Sequence, residues 1–213
     1  VSTVFGEAGR YVSDFRQPAV PEGWQGEGVS ERSGAAVPGL HAASGGLRVD
    51  SLFLELAEDL LVRRAGSRPG DRAALEAMFL RCSPSTVYRR FHGQVKAFPA
   101  SYLAEALSGV PEHHALVACA GERVVALASC RLDPDRGEAE LGILVQDEWQ
   151  RRGLGSSLLG RLVSWAGDHG VRALNAQVLT EHDWIIGLLA PYGDCSSVFR
   201  RGVREVRVDL TRT

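Results

Sequence analysis

Lysine is almost missing from this chain: Lys96 stands alone among 24 basic residues, and all the others are arginine. The arginines are not interleaved with aromatics in the manner of single-strand nucleic-acid binders. With 26 acidic side chains against 24 basic ones the formal charge is -2, so nothing electrostatic favours nucleic acid or an anionic membrane as main partner. Long apolar runs are missing too. None approaches the ~18–20 residues of a spanning helix, and the opening VSTVFGEAGR is not a basic-then-apolar leader. Paired cysteines are also absent: Cys82, Cys119, Cys130 and Cys195 stand singly, which argues against a thiolate zinc site or a disulfide framework. The expectation is a soluble, cytoplasmic protein with no metal and no membrane or nucleic-acid partner. Present instead are hydrophobic residues at 45% of 213, enough to fill one sizeable core.

Residues 1–46 form an arm punctuated by glycine and proline, with Phe5, Tyr11, Phe15 and Trp24 as candidate anchors on the body or on a second copy. A patterned domain spans residues 47–213. A strand is expected near Leu60 to Arg64, then a helix opened by Asp71 whose apolar face is Leu75, Met78 and Phe79. Ser83 and Pro84 read as N-cap and first residue of a second helix through Tyr88 and Phe91, and Pro99 to Leu107 as a third. The period then changes. Ala115 to Ala120 and Val124 to Arg131 read as a hairpin about Gly121-Glu122, and a turn at Asp133 to Gly137 leads into a strand over Glu138 to Val145. After a polar break, Leu158, Leu162, Val163 and Ala166 have helical spacing up to Gly170. Ala173 to Leu179 is a strand, Trp184 to Leu189 a short helix, and Val198 to Arg200 with Val203 to Leu210 a closing hairpin. The expected fold class is α/β, a mixed sheet with helices on both faces.

One stretch carries a mechanism. Between the Glu138 to Val145 strand and the next helix lies Gln150-Arg151-Arg152-Gly153-Leu154-Gly155. A strand, a glycine-rich turn and a helix N-terminus together present backbone amides to an anion, and two arginines add charge beside it. The spacing matches neither the dinucleotide fingerprint nor the nucleotide-phosphate loop. A pyrophosphate of some other cofactor is the reading, against a bare turn entering a helix.

The segment Glu140 to Gly155, with its Asp147-Glu148-Trp149-Gln150 lead-in, resembles the acyl-CoA-binding core of the GNAT superfamily of N-acetyltransferases, whose signature is Gln/Arg-x-x-Gly-x-Gly/Ala. Gln150, Gly153 and Gly155 match it. Asp71 to Gly93 is similar to the helical front end of bacterial members related to protein lysine acetyltransferases, and the resemblance runs from about Leu60 to Leu210. It implies a GNAT fold whose two central parallel strands, Glu138 to Val145 and Ala173 to Leu179, splay apart to hold pantetheine. The implied co-substrate is acetyl-CoA or another acyl-CoA. Its contacts would be Leu144 and Val145 on the strand, and Gln150, Arg151, Arg152, Gly153, Leu154, Gly155 and Ser156 in the turn. His182 stands where relatives often carry an asparagine that bonds the cofactor. Partners implied are an amine acceptor, a protein lysine or a small molecule, and a second copy of the chain in a homodimer; a negatively charged cleft would suit a lysine.

An amine attacks a thioester only when deprotonated, so a proton acceptor is needed. Glu140 is the candidate catalytic base: it matches the glutamate that serves this role in the resembling enzymes, and strand alternation turns it away from Ala139, Leu141 and Ile143. Relatives also use a tyrosine at the position of Leu189; Tyr192 is displaced from it by three residues. That departure leaves an acyl-CoA-binding module without turnover as the alternative. Other residues read more simply. Cys119 and Cys130 are core residues, His113-His114 a strand start, His92 an acceptor-site or surface residue, Trp149 a buttress of the turn, and the Arg63-Arg64, Arg89-Arg90 and Arg200-Arg201 pairs solvated faces.

Overall fold

The computed structural model describes residues 60–179, 184–200 and 202–210. The 1–46 arm, the beginning of the 47–213 domain and His182 lie outside the described residues. Strand β1 (Leu60–Arg64) is followed by helices α1 (Asp71–Arg81), α2 (Pro84–Phe91) and α3 (Ala100–Ser108). Strands β2 (His113–Ala120), β3 (Arg123–Asp133) and β4 (Glu138–Val145) come next, then α4 (Leu154–Asp168), β5 (Ala173–Leu179), α5 (Trp184–Leu189), β6 (Gly193–Arg200) and β7 (Val203–Leu210). One sheet holds all seven strands in the order β1-β2-β3-β4-β5-β7-β6. Every pairing is antiparallel except β4 with β5.

The small, Val- and Ala-rich strands have apolar residues on both faces because helices cover both. On β2, Ala115, Val117 and Cys119 pack with Leu75, Met78, Phe79 and Leu103 of α1 and α3, while Leu116 and Ala118 pack with Leu158 and Leu162 of α4. Val125 is an extra residue on β3, since Ala118 faces Ala126 and Cys119 faces Val124. This bulge bends the strand, and on its other side the Val125 carbonyl accepts from the backbone of Gln146 at 3.0 Å, carrying the β3–β4 register one residue past β4.

The expected helix starts hold. Ser83 caps α2 by accepting from the Thr86 amide at 3.2 Å, and Pro84 opens the helix. Asp71 does more than favour the first turn of α1: it is buried and receives both Arg63 Nη atoms at 2.7 and 2.6 Å. Arg63 is therefore not on a solvated face, because its strand runs beside the N-terminus of α1. The closing hairpin is longer than the pattern implies. Gly193, outside the expected hairpin, begins β6, where a Cβ would collide with the Asp209 carbonyl of the paired strand.

Candidate active site

Parallel pairing between β4 and β5 is limited to Glu138–Glu140 against Ala173–Asn175. Beyond it each strand keeps its antiparallel partner on the far side, β3 for one and β7 for the other. The two strands thus splay, and alternate residues of Leu141–Val145 turn their N–H and C=O groups into the gap. A cavity of about 890 Å³ occupies it. Its walls come from β4, β5, α5 and the turn on one side, and from α2, α3, β2 and β3 on the other.

The turn is held open by side chains. Gln150 Nε2 donates to Val145 O at 2.9 Å and to Thr86 Oγ1 at 3.0 Å; Thr86 Oγ1 in turn donates to Asp147 Oδ1 at 2.8 Å. Asp147 also accepts from the Ser83 amide and hydroxyl at 2.8 and 2.7 Å, tying the turn to the start of α2. Burial would raise this carboxyl's pKa, but the Ser83 and Thr86 hydrogen bonds together hold it below the usual range. Behind it Gln146, 1% exposed, accepts from Arg81 Nε at 3.2 Å, while Arg81 Nη2 donates to Val124 O at 2.9 Å. Arg151 and Gly153 are left-handed, with φ of 57° and 77°. Gly153 precedes α4, whose first-turn amides no side chain caps. Those amides and the positive end of the helix lie where the cavity opens.

The cavity wall includes Leu144, Val145, Gln150, Arg151, Gly153, Gly155 and Ser156. Leu154 turns its side chain into the core beneath α4 at 2% exposure, and Arg152 lays its guanidinium 5.3 Å from the Trp149 ring centre. Leu154 can offer a ligand only its backbone, and the exposed Arg152 side chain is not part of the cavity wall. Trp149 is half-buried against the α4 core, as its buttress reading expects. The glycines should respond differently to substitution. Gly153→Ala forces an L residue into the left-handed region, at about 1–2 kcal/mol, and should weaken acetyl-CoA binding at least about tenfold as the amides shift. Gly155 is helical with open space where a Cβ would go. Gly155→Ala should therefore gain up to about 1 kcal/mol of helix propensity and leave binding within a few-fold. Thermal melts and titration calorimetry check both.

Glu140 lies on the other half of the cavity, and its face is not the open side of the sheet. Leu144, on the same face, is buried among α1–α3, and α2 and α3 roof the space between. Register places His113, Arg131 and Glu140 in one row across β2, β3 and β4. Burial raises the Glu140 pKa and Glu105 adds to it, against the opposing pull of Arg90 and Arg131. Glu105 receives Arg131 Nη1 at 3.3 Å. His113 is 4% exposed and burial, with Arg131 beside it, pushes its pKa down to about 4, so its 3.8 Å approach to Glu105 is not an ion pair. His92 caps α2 in a left-handed conformation, borders the cavity, and is pushed down to about 4 by burial. Tyr102 shares a hydrogen bond with Ser129 at 2.8 Å.

Several of these residues escape sequence reasoning. Arg90 belongs to a pair read as solvated, yet it packs under the roof against the Phe91 and Tyr102 rings, 5.0 and 4.8 Å from their centres. The signal for Arg131 and His113 is cross-strand register, which single-strand patterns do not contain. Tyr192 sits in a 3-10 turn, Ala190–Tyr192, and a Cβ on Gly160 would lie 3.2 Å from its hydroxyl. It therefore points to α4 and not into the cavity, whose wall has Leu189 at that end.

Known proteins share this fold. The Acetyltransferase (GNAT) family model matches residues 74–190. Acetyltransferase Pat of Mycolicibacterium smegmatis is 35% identical over 105 residues, which are 47% of this chain and 31% of that protein. The chain thus spans about a third of that relative's length. Among solved structures, the GNAT domain of S. lividans PAT superposes with a TM-score of 0.61 at 24% identity, over 70% of this chain and 89% of that one. The yncA acetyltransferase structure from Salmonella typhimurium, determined with acetyl-CoA, gives a TM-score of 0.55 at 20% identity, over 73% and 95% of the two chains. At those identities the two structures speak for the fold. The family match covers just over half of the chain, from α1 through the splayed strands to the 3-10 turn, and so the chain belongs to the acetyltransferase (GNAT) family.

Proposed function

We propose that this chain is an acyl-CoA-dependent N-acyltransferase that moves an acetyl group from acetyl-CoA to a primary amine, with Glu140 as the base. The observation that carries the reading is the join of two half-sites in one cavity. One half is a gap between β4 and β5 with unpaired backbone and an uncapped helix N-terminus; the other holds a carboxylate on the same strand. These features fit a long, amide-bearing thiol ester that ends in a diphosphate. Exposed strand backbone pairs with amides as an added strand does, and the turn amides receive phosphate.

Acetyl-CoA supplies the activated acyl group. Glu140, whose face points into the cavity, takes one proton from the incoming ammonium, directly or through a water, and frees the nitrogen lone pair. The nitrogen then bonds to the carbonyl carbon, the carbon–sulfur bond breaks, and the second nitrogen proton ends on the departing thiol. The products are an amide, a free thiol and one proton held by Glu140 and released to solvent. A base with a raised pKa is better matched to an ammonium than an ordinary carboxylate. Free-thiol release by the purified chain with acetyl-CoA, across a panel of primary amines, tests the reading. Amine-dependent release of thiol equal to amide formed is expected; acetyl-CoA binding without release would favour a binding module.

A further inference from the structure

The acceptor half of the cavity does not carry the uniform negative charge that suits a lone ammonium. Arg90 and Arg131 face it along with Glu105 and Glu140. Arg131 and Glu105 engage one another at 3.3 Å. Arg90 and Glu140 are left: neither makes a hydrogen bond or ion pair with another described residue, and they do not bond each other. Arg90 Nε is buried with no partner. Its guanidinium is held by the Phe91 and Tyr102 rings, and it lies over Gly142 in the space a Cβ there would need, so a larger residue at 142 would displace it. Gly142 is two residues beyond Glu140 on the same face of β4, a step of about 7 Å.

We propose that the acceptor is a zwitterion, a small amino-acid-like molecule whose carboxylate is received by Arg90 while its amine is presented to Glu140. This rests on the acyltransferase reading above and names the substrate class of that site. A half-buried guanidinium whose Nε has no hydrogen-bond partner is costly, and a carboxylate matches its planar fork of donors. Pantetheine is neutral and cannot supply that charge. The phosphate-binding turn begins after Val145, at the far end of the strand. A lysine side chain carries an ammonium on a four-carbon stem with no anion beside it. It would leave Arg90 unpaired and add a cation between two arginines, which selects against it.

The test uses the purified chain, acetyl-CoA, and matched acceptors: leucine against 3-methylbutylamine, phenylalanine against phenethylamine, and the blocked lysine Nα-acetyl-lysine methylamide. At least one amino acid should be acetylated with kcat/KM about tenfold or more above its decarboxylated partner and above the blocked lysine. In Arg90→Gln that preference should vanish through a rise in KM for the acid. The Kd for acetyl-CoA should stay within about twofold, the rate with the amine should change by less than the rate with the acid because both feel the altered Glu140, and Arg90→Lys should restore part of the preference. Equal or better use of the decarboxylated amines or of the blocked lysine overturns the inference. So does acetyl-CoA binding with transfer to none of these acceptors, or an Arg90→Gln loss that is the same for acid and amine. Absence of acetyl-CoA binding altogether is a different result, and overturns the acyltransferase reading beneath it.

Discussion

Glu140→Gln should lower kcat by about 10²–10⁴-fold, the usual contribution of a positioned base, with the Kd for acetyl-CoA unchanged within a few-fold. Gln keeps the shape and polarity of the side chain, and the cofactor half of the cavity is built from the turn and the splayed backbone, which Glu140 does not support. The pH profile sharpens this. Burial raises the Glu140 pKa, and the base works only when ionised, so the acidic limb of kcat/KM should lie above the ordinary carboxylate range and disappear in the variant. The same shift has a consequence for stability. A carboxyl whose folded pKa is raised contributes stability below its unfolded pKa, and that contribution is lost as pH rises through the folded value. At neutral pH the variant should therefore melt no lower than the parent, with the difference shrinking as pH falls. A lower melting temperature with equal loss of binding and turnover would mark Glu140 as structural.

Asp71→Ala should cost about 3–5 kcal/mol, the penalty for removing one partner of a buried pair. Arg63 is 14% exposed and Asp71 4%, and two short hydrogen bonds join them fork to fork. The substitution leaves a buried guanidinium with its Nε already unpartnered. For a chain of this size each kcal/mol is about 2–4 °C of melting temperature. The Arg63 hydrogen bond, against the opposing effect of burial, holds the Asp71 pKa below the carboxylate range. Its stabilisation is present above the unfolded pKa and fades as pH drops through the folded one. Replacing both residues, Arg63→Met with Asp71→Ala, should recover part of the loss, because an apolar pair has no charge to strand. Thermal melts of the two variants beside the parent decide it. If Asp71→Ala melts with the parent, the pair contributes nothing to β1 and α1 docking.

How much of this was legible in the sequence varies with the range of the interaction. β4 and β5 follow from local alternation and turn residues, and their ends match the pattern at both termini. The N-cap of α2 follows from Ser83-Pro84 alone, since capping is settled within four residues. The turn Gln150 to Gly155 was readable because its glycines encode backbone shape, and the structure gives Gly153 the positive φ such a turn requires. The acceptor half was largely illegible. Arg90 looks like any other arginine in a helix until α2 is laid over Gly142, and Arg63 until β1 meets α1. Both contacts depend on tertiary placement. The lead-in shows the same limit. Asp147 reads as a family motif, but its role in holding Ser83 and Thr86, more than 60 positions earlier in the chain, is set by packing. Tyr192 shows the opposite case, a chemically apt residue that the 3-10 turn directs at α4 instead of the cavity.

The central claim is that the gap between β4 and β5 and the amides before α4 hold coenzyme A. Calorimetric titration of the chain with acetyl-CoA, beside Gly153→Ala and with ATP as control, measures this directly. The account predicts saturable binding of one acetyl-CoA per chain, weakened at least about tenfold in Gly153→Ala and not reproduced by ATP. No binding of acetyl-CoA at millimolar concentration, or equal binding by the Gly153→Ala variant, would contradict it.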